Sequence, residues 1–304
     1  MDRLESMSML VAVAECGSLS GAARRLNVPV PTLTRKVTDL ETRLGTRLLA
    51  RTTRKLALTD AGVNFVEAAR RILEQVDDAE REAAGEYRTP KGELVITAPV
   101  HFGRQYVLPV VTDFLALYPD IRVRLVLADR NIDLVDAHVD MAVRIGRLPD
   151  STMVATEVGR MRTVVCASPK VLDGRGTPRS PEDLVRLPAI AVETPMLSTG
   201  WRFRRGADED TIDVSVTHRL QVTTTEAAAQ AAVAGVGVVR LLHYHVADAL
   251  ASGALRIVLD AFEPHPVPVH LLHASRRQMP VKMRRFIDFA VPRLREQLTA
   301  LSGS

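Results

Sequence analysis

The sequence predicts an α/β multidomain protein. A winged helix-turn-helix and a long helix come first, and a larger half of alternating strands and helices follows. Three observations support this prediction. The chain has 304 residues, 46% hydrophobic and 25% charged, which is enough for about two globular domains. Helical spacing and capping residues extend as far as Tyr87. After the helix-breaking Thr89-Pro90-Lys91-Gly92, strand and helix patterns alternate.

Three short helices open the chain. They are predicted at Leu4–Glu15, Gly21–Leu26 and Pro31–Leu44. Gly17 and Gly45 suit the ends of the first and third helices, and Ser20 suits the amino-terminal cap of the second. The spacing of the third helix puts apolar residues on one face, namely Leu33, Val37, Leu40 and Leu44. Its other face is predicted to carry Thr32, Arg35, Lys36, Asp39 and Arg43. An apolar back with a Thr/Arg/Lys front is what a reader of the DNA major groove requires.

Positive charge is concentrated in this same region. Arg24–Lys55 contains nine Lys or Arg residues and only two acids, Asp39 and Glu41, which leaves seven net positive charges where the whole chain carries +4. Two short runs, Arg47–Arg51 and Lys55–Leu58, are joined by Thr52-Thr53-Arg54 and predict a basic hairpin, or wing. A small helical unit of this kind could present its charge to a phosphate backbone.

A long helix is predicted to follow the wing, capped by Thr59 and ending near Tyr87. Its apolar residues follow an a/d heptad spacing, at Phe65, Ala69, Ile72, Val76, Ala79 and Ala83. Such a seam fits either dimerisation or packing on its own domain. We favour dimerisation, because the sequence offers no other obvious apolar cover.

The remaining two thirds of the chain read as two sets of strands and helices. Strands are predicted at Leu94–Ala98, Arg122–Ala128, Met141–Ile145, Thr163–Ala167, Ala189–Val192, Leu220–Val222, Val236–Val239, Leu255–Val258 and Val267–Ala274. Helices are predicted at Gln105–Tyr118, Asp133–Val139, Pro181–Arg186, Thr225–Ala234 and Val281–Leu298. The first three strands with their helices form two βαβ units, which predict a parallel sheet.

Several classes of protein are disfavoured. The two cysteines, Cys16 and Cys166, form no CxxC pair, which predicts a reducing, cytoplasmic setting. No run is long and apolar enough to predict a membrane span. Arg240 occupies the third glycine position of a GxGxxG pattern that starts at Gly235, and His243 and His245 lie two residues apart, on different helix faces. We therefore expect no enzymatic activity, no cofactor and no metal site.

The stretch Leu40–Gly62 reads LETRLGTRLLARTTRKLALTDAG. It resembles the LE-x-x-LG-x-x-LF-x-R-x-x-R-x-x-x-LT-x-AG pattern of the LysR-type transcriptional regulators of bacteria, with Leu49 where Phe is usual. Tyr118-Pro119, Asp140–Gly146 and Phe286–Phe289 are also similar to that family. The resemblance extends over nearly the whole chain.

The resemblance implies a regulatory half shaped like a periplasmic binding protein, with two α/β subdomains and a small effector in the cleft between them. The implied boundaries are 1–59 for the winged helix-turn-helix (the helix-turn-helix itself about 19–38), 60–89 for the linker helix and 91–304 for the regulatory domain. Subdomain I would comprise about 91–161 and 266–304, and subdomain II about 162–265. The chain would cross between the two near Gly159–Arg162 and near Phe262–His265. The implied partners are an interrupted palindrome of double-stranded DNA near a promoter, further copies of the chain in a homodimer or homotetramer, and RNA polymerase as an additional candidate.

The candidate site residues fall into two groups. For DNA, we expect base or phosphate contacts from the third helix, and contacts with the DNA backbone or an adjacent minor groove from the wing. These residues are Thr32, Thr34, Arg35, Lys36, Arg51, Thr52, Thr53 and Arg54. For the effector, the resemblance and the anion preference of helix amino termini indicate loops at Pro99, Val100, His101, Phe102, Ile145, Gly146, Arg147, Thr194, Met196, Thr224, Thr225 and Arg240. His101, Arg147 and Arg240 suit a carboxylate, so we expect a small organic acid.

The sequence thus predicts a sequence-specific transcriptional regulator controlled by a small-molecule effector, for which we expect a carboxylate. The alternative is an architectural DNA-binding protein that needs no effector, whose α/β half serves only oligomerisation. An enzyme fused to a DNA-binding arm ranks third, because no catalytic constellation is visible. A footprint that changes with the effector would separate the first two interpretations.

Overall fold

The computed structural model describes residues 2–51, 56–83, 90–129, 134, 139–148, 153–193, 200–205, 211–274 and 279–302. The chain divides into two compact units, Met1–Thr89 and Pro90–Ser304. The first is helical with a small hairpin, and the second contains two five-stranded sheets. This is the predicted α/β multidomain class. No helix in the described ranges is sufficiently long and apolar to span a bilayer.

The first unit begins with three helices: α1 (Arg3–Cys16), α2 (Leu19–Leu26) and α3 (Val30–Leu44). The predicted stops are confirmed, since Gly17 and Gly45 follow α1 and α3 in the left-handed conformation, at φ 62° and 67°. The predicted cap Ser20 is wrong, because it already lies inside α2. Ser18 has the extended backbone that a cap requires, and its Oγ accepts from the Gly21 amide at 3.1 Å.

The core of this unit is built on α1, which packs against the other three helices. From α3, Leu33, Val37 and Leu40 are buried in this core as predicted. Leu44 shares their face by spacing, yet its side chain is 40% exposed. It is the last residue of α3, so the chain turns away at Gly45 before a neighbour can cover it.

The wing is a two-stranded antiparallel hairpin of β1 (Leu49–Arg51) and β2 (Leu56–Leu58). The long helix α4 (Asp60–Ala83) follows, and Thr59 caps it as predicted, accepting from the Gly62 amide at 3.0 Å. The predicted end near Tyr87 lies outside the described residues.

The heptad seam of α4 is divided between two environments. Ala69 is fully buried and Phe65 partly buried in the core of the first unit, where α1 covers them. Ile72 remains 39% exposed and Ala79 is also exposed. The first half of α4 therefore has the apolar cover that the sequence did not predict. α1, which provides it, is distant in sequence, so the local pattern of α4 could not reveal it. Among the seam residues whose side chains are described, Ile72 and Ala79 remain exposed to a partner chain.

The first sheet of the second unit has the order β4-β3-β5-β14-β6. Its strands are β3 (Gly92–Ala98), β4 (Ile121–Leu127), β5 (Met141–Ile145), β6 (Met153–Met161) and β14 (Val267–Ala274). The predicted parallel pairing holds for β3, β4 and β5, but β14 runs antiparallel to both β5 and β6, so the sheet is mixed.

The helices of this sheet also differ from prediction at their boundaries. The helix predicted to start at Gln105 starts at Val100, as α5 (Val100–Phe102), a π-helical turn (Gly103–Val107) and α6 (Leu108–Leu117). It packs on the sheet together with α10 (Val281–Ser302). The helix predicted near Asp133–Val139 falls largely outside the described residues.

The second sheet has the order β11-β8-β12-β7-β13. It contains β7 (Thr163–Ala167), β8 (Ala189–Val192), β11 (His218–Val222), β12 (Val238–Leu242) and β13 (Arg256–Val258). Its helices are α7 (Pro169–Arg175), α8 (Thr225–Val233) and α9 (Ala247–Ala251), and the predicted helix Pro181–Arg186 is a 3₁₀ helix. A separate hairpin of β9 (Trp201–Arg204) and β10 (Thr211–Val214) was not predicted.

Two short segments connect the sheets. The chain leaves the first sheet at Arg162, between β6 and β7, and returns after the 3₁₀ turn Asp260–Phe262 on its way into β14. An ion pair joins these two crossings. The Nε and Nη2 atoms of Arg162 donate to the two carboxylate oxygens of Glu263 at 3.0 and 2.9 Å.

Candidate functional site

The exposed face of α3 is narrower than the sequence pattern suggested. Pro31, Arg35, Thr38 and Thr42 are all exposed and recur at intervals of four and three residues. Thr32 is only half exposed. Thr34 is likewise half-buried, and its hydroxyl donates to the Val30 carbonyl at 2.9 Å. Of the four predicted contact residues on α3, Arg35 is therefore the exposed one.

Lys36 is engaged inside the first unit. Its Nζ lies 2.5 Å from an Oε of Glu5 on α1, and its side chain is only 18% exposed. Any contact with DNA phosphate would have to compete with this carboxylate. Thr38, which was not among the predicted residues, lies on the same exposed face as Arg35. The packing of α1 against α3 thus makes Lys36 less accessible and leaves Thr38 exposed. The helical pattern of α3 alone could not predict this.

The wing is held in position by α3 and by the start of α4. One carboxylate oxygen of Glu41 accepts from the backbone amides of Leu48 and Leu49, at 2.7 and 2.9 Å. On the other side, the Thr59 hydroxyl donates to the Arg47 carbonyl at 2.8 Å. In the sequence, Glu41 was noted as an acid that interrupts the positive charge and as part of the LE pattern, without a structural role. The structure gives it the role of positioning the wing relative to α3.

Gly62 explains the close approach of α4 to the wing. A Cβ atom added at Gly62 would lie 2.0 Å from the carbonyl oxygen of Leu48. The three residues Glu41, Thr59 and Gly62 thus account physically for the LE and LT-x-AG parts of the sequence pattern. Thr52, Thr53 and Arg54 lie outside the described residues. Arg51 is described only as the last residue of β1, where its backbone pairs with Leu56.

The second candidate site lies between the two sheets of the second unit. His101 on α5 and Glu226 on α8 meet there, with His101 Nδ1 3.4 Å from Glu226 Oε1. Pro99 and Val100 lie at the start of α5, where the Val100 amide donates to Asp129 at 2.9 Å. Glu226 likewise occupies the first turn of α8. Protein carboxylates therefore already stand at both helix amino termini that we expected to attract an anion.

An aromatic cluster joins the sheets at the same place. It consists of His101, Phe102, Tyr106, Tyr244 and His245. Tyr244 follows β12 of the second sheet but is buried in the core of the first, against Phe102 and Tyr106. The ring of His245 lies 4.0 Å from that of Tyr244 and 5.2 Å from that of His101. Tyr244, His245 and Glu226 were not predicted, because only the fold brings them to His101. Tyr106 was not predicted either, and the fold brings it against Tyr244.

Burial changes the protonation of this cluster. Desolvation, with the nearby His101, lowers the pKa of His245 to about 4, and Glu226 opposes the shift. Burial together with Asp129 and Glu226 raises the pKa of Tyr244, and burial raises that of Tyr106. His245 and both tyrosines are therefore neutral near pH 7. The Tyr106 hydroxyl is buried and has no hydrogen-bond partner among the described residues.

The other predicted effector residues are dispersed. Ile145 ends β5, Gly146 follows at φ 111°, and Arg147 is exposed. Thr224 caps α8, accepting from the Ala227 amide at 3.3 Å, and Thr225 opens that helix. Thr194 and Met196 lie outside the described residues. The structure thus brings His101, Phe102 and the start of α8 together. Within the described part of the chain, His101 forms no hydrogen bond or ion pair with Arg147 or Arg240.

Arg240 lies on the opposite face of the second sheet from α8. It is half-buried on β12, with its guanidinium carbon 6.0 Å from the centre of the Phe203 ring. Its Nε is buried without a hydrogen-bond partner in the described part of the chain, and burial lowers its pKa. Such a group remains charged at neutral pH and favours an anion that approaches it.

Cys166 is fully buried on β7, and burial raises the pKa of its thiol to about 12. The thiolate is the reactive form of cysteine, so this thiol is unreactive in the folded protein at neutral pH. Among the described residues, no three His, Cys, Asp or Glu side chains cluster as metal ligands would.

Between pH 6.5 and about pH 4, the second unit of the wild type should lose more stability than that of a variant without His245. In the folded protein the pKa of His245 is about 4, below its ordinary value of 6.5, so the unfolded chain binds the extra proton first. The contribution of His245 to the free energy of unfolding is therefore fully present above pH 6.5. It is lost as the pH falls toward 4, by at most roughly 3 kcal/mol. Thermal unfolding of the wild type and of His245→Gln at several pH values tests this. Parallel curves for the two proteins would contradict it.

Two family models match the chain. One, for the bacterial regulatory helix-turn-helix protein of the lysR family, matches residues 4–63, and the other, for the LysR substrate binding domain, matches residues 88–295. An HTH-type transcriptional regulator of Xanthomonas campestris is 35% identical over 297 residues, which are 96% of this chain and 85% of the relative.

Two solved structures are similar over nearly their full length. The Vibrio cholerae virulence activator AphB, a member of the LTTR family, superposes with a TM-score of 0.61 at 27% identity, covering 96% of this chain and 99% of that one. CrgA of Neisseria meningitidis, a LysR-type transcriptional regulator, gives a TM-score of 0.60 at 29% identity, covering 97% and 99%.

Proposed function

Because the chain belongs to the LysR family of bacterial transcriptional regulators, we propose that it binds a specific DNA operator and that a small effector between its two α/β sheets controls this binding. We propose that it acts in the cytoplasm, as a homodimer or homotetramer, on an interrupted palindrome near a promoter, with RNA polymerase as a further partner. The exposed second halves of the α4 helices would supply part of the contact between copies.

The observation that carries the DNA-binding part is the exposed face of α3. Arg35 lies on it with Thr38, on a helix whose opposite face is buried in the core of the first unit. Glu41 fixes the wing to the same helix, so both elements approach DNA as one rigid body. Arg35 would reach the O6 and N7 atoms of a guanine. Thr32, Thr34, Lys36 and the wing residues Arg51, Thr52, Thr53 and Arg54 would contact bases or phosphates.

Replacing Arg35 by alanine should weaken operator binding by about 1–3 kcal/mol and relax the preference at one base pair. The operator is first selected from random duplexes, and affinities are then measured at a fixed salt concentration, because phosphate contacts depend on salt. Arg122→Ala, which removes an exposed arginine of β4 in the other unit, is the control and should bind as the wild type does. Equal affinity of both variants for the operator would exclude Arg35 from the interface.

The effector part is supported by the cluster that bridges the two sheets. His101 and Phe102, on a helix that packs on the first sheet, contact Tyr244 and Glu226, which belong to elements of the second sheet. A ligand that separated these groups or drew them together would therefore change the relative orientation of the two sheets. We propose that the effector carries a carboxylate. Since Asp129 and Glu226 occupy the helix amino termini, we propose that the negative group extends away from α8, around the end of β12 at Leu242, to Arg240 on the other face of the sheet. The buried Nε of Arg240 lacks a hydrogen-bond partner in the described chain. Pro99, Val100, Ile145, Gly146, Arg147, Thr194, Met196, Thr224 and Thr225 would line the remaining cleft.

A panel of organic acids and matched amines tests the class of effector by the thermal shift of the full chain. Stabilisation by an acid that disappears in Arg240→Met supports the carboxylate. Stabilisation by amines alone would show that the aromatic cluster and its carboxylates select a cation.

The competing function is an architectural DNA-binding protein that has no effector. Footprints of the full chain on the selected operator, with and without a stabilising compound, distinguish the two. A footprint whose length changes with the compound supports the regulator, and an unchanged footprint across the panel supports the alternative.

A further inference from the structure

The amino-terminal end of α3 is apolar and exposed. Pro29, Val30 and Pro31 are all exposed, and the Val30 side chain retains 40% of its accessible surface. No acidic residue lies in the first turn of this helix. A single exposed valine carries no meaning by itself, because apolar atoms contribute much of every protein surface. Its position is what matters here.

That position is the end of the helix that enters the groove. In helix-turn-helix proteins, residues at the amino-terminal end of the second helix contact the base edges. Helical Cβ atoms tilt toward the amino terminus, so the side chain of a first-turn residue projects past the start of the helix. Val30 occupies this place on α3, one turn before Thr34.

The polar side chains near this tip are largely engaged within the protein. The Lys36 ammonium is held by Glu5, and the Thr34 hydroxyl donates to the carbonyl of Val30 itself. Arg35 is the exposed charged side chain of the first two turns of α3. The start of the helix therefore presents a branched apolar side chain, and the Arg35 guanidinium lies about one and a half turns farther along.

This combination has a specific counterpart in the major groove. Thymine is the DNA base that displays an apolar group there, its C5 methyl, and cytosine at the same place displays a hydrogen instead. We infer that Val30 is a specificity-determining residue that packs against a thymine methyl group of each operator half-site. The inference rests on the proposed DNA-binding function and adds to it the base that is read and the residue that reads it.

The experiment removes one methyl group at a time. Operators are selected from random duplexes with the full chain, and each thymine of a half-site is then replaced by uracil, which keeps every hydrogen-bonding group. At one thymine or more, the replacement should weaken binding by the wild type about three- to fivefold, the value of one buried methyl group. In Val30→Ala the same replacement should have little effect.

Two controls keep the result interpretable. Val185→Ala removes a valine that is 58% exposed in the other unit, and it should retain the full uracil effect. Thermal unfolding of Val30→Ala verifies that the exposed position can be truncated without loss of the fold, and Val30→Thr, which keeps one methyl group, should give an intermediate uracil effect.

The outcomes separate this inference from the function on which it rests. If operators are selected but no thymine is sensitive to uracil, or if Val30→Ala is as sensitive as the wild type, the assignment of Val30 is overturned and DNA binding stands. If no sequence is enriched from the random pool, the proposed function itself fails, and the inference fails with it.

Discussion

Gly62→Ala is expected to destabilise the first unit by about 3 kcal/mol or more and to abolish operator binding. The added Cβ would lie 2.0 Å from the carbonyl oxygen of Leu48 and 2.9 Å from its carbonyl carbon. Both are backbone atoms, so no side-chain rotation relieves the contact. The first turn of α4 must move away from the wing, which breaks the hydrogen bonds of Thr59 to Arg47 and Leu48.

Denaturant unfolding of the full chain, with operator binding measured in parallel, tests this expectation. Gly174→Ala is the matched control, since nothing lies within 4 Å of a Cβ at that position and Gly174 is within the helix α7. Alanine there should leave stability within about 1 kcal/mol of the wild type. A Gly62→Ala protein that unfolds and binds as the control does would mean that the approach of α4 to the wing is looser than the structure describes.

Removing Glu263 should destabilise the second unit by about 1.5–3 kcal/mol, because a charged hydrogen-bonded group is left without its partner. The carboxylate of Glu263 is 13% exposed and accepts two hydrogen bonds from Arg162, whose side chain is 31% exposed. The pair ties together the only two described segments that connect the sheets. Its loss should therefore also make these crossings more accessible to proteases.

Glu263→Gln and Glu263→Ala, compared by thermal unfolding and limited proteolysis, measure this effect. Asp213→Asn is an instructive control. Asp213 accepts two hydrogen bonds from Arg202 at 3.0 and 3.1 Å, in the same arrangement, but the pair is exposed and screened by water. It should change stability little. An equally small effect at Glu263 would show that the crossings are held by packing alone. A double-mutant cycle that combines Glu263→Gln with Arg162→Met isolates the interaction energy of the ion pair itself.

Elements whose signals are local were predictable from the sequence. The strands Met141–Ile145, Thr163–Ala167 and Val267–Ala274 were predicted with their observed bounds, and α3 ends at Leu44 as expected. Their apolar runs and the glycine stop act over a few residues. β6 was missed because much of it is exposed, and its strand conformation depends on pairing with β14, about a hundred residues later. The β9–β10 hairpin was missed for a similar reason, since its core residue Phe203 is buried in a cluster that includes residues distant in sequence, such as Val165 and Val258 of the second sheet.

By itself, the sequence determined the class of the fold, the order of its elements, the basic helix-turn-helix and the family pattern, since these depend on periodicity, capping and motif spacing within short windows. The tertiary structure decided which of the polar side chains are free to bind a partner and which are already bound within the protein. Lys36 is bound by Glu5, 31 residues away, and Arg162 by Glu263, 101 residues away. It also brought Tyr244 and His245 to His101 and placed carboxylates at both helix ends expected to bind an anion. Charge and burial depend on neighbours in space, and neighbours so distant along the chain leave no trace in a local pattern.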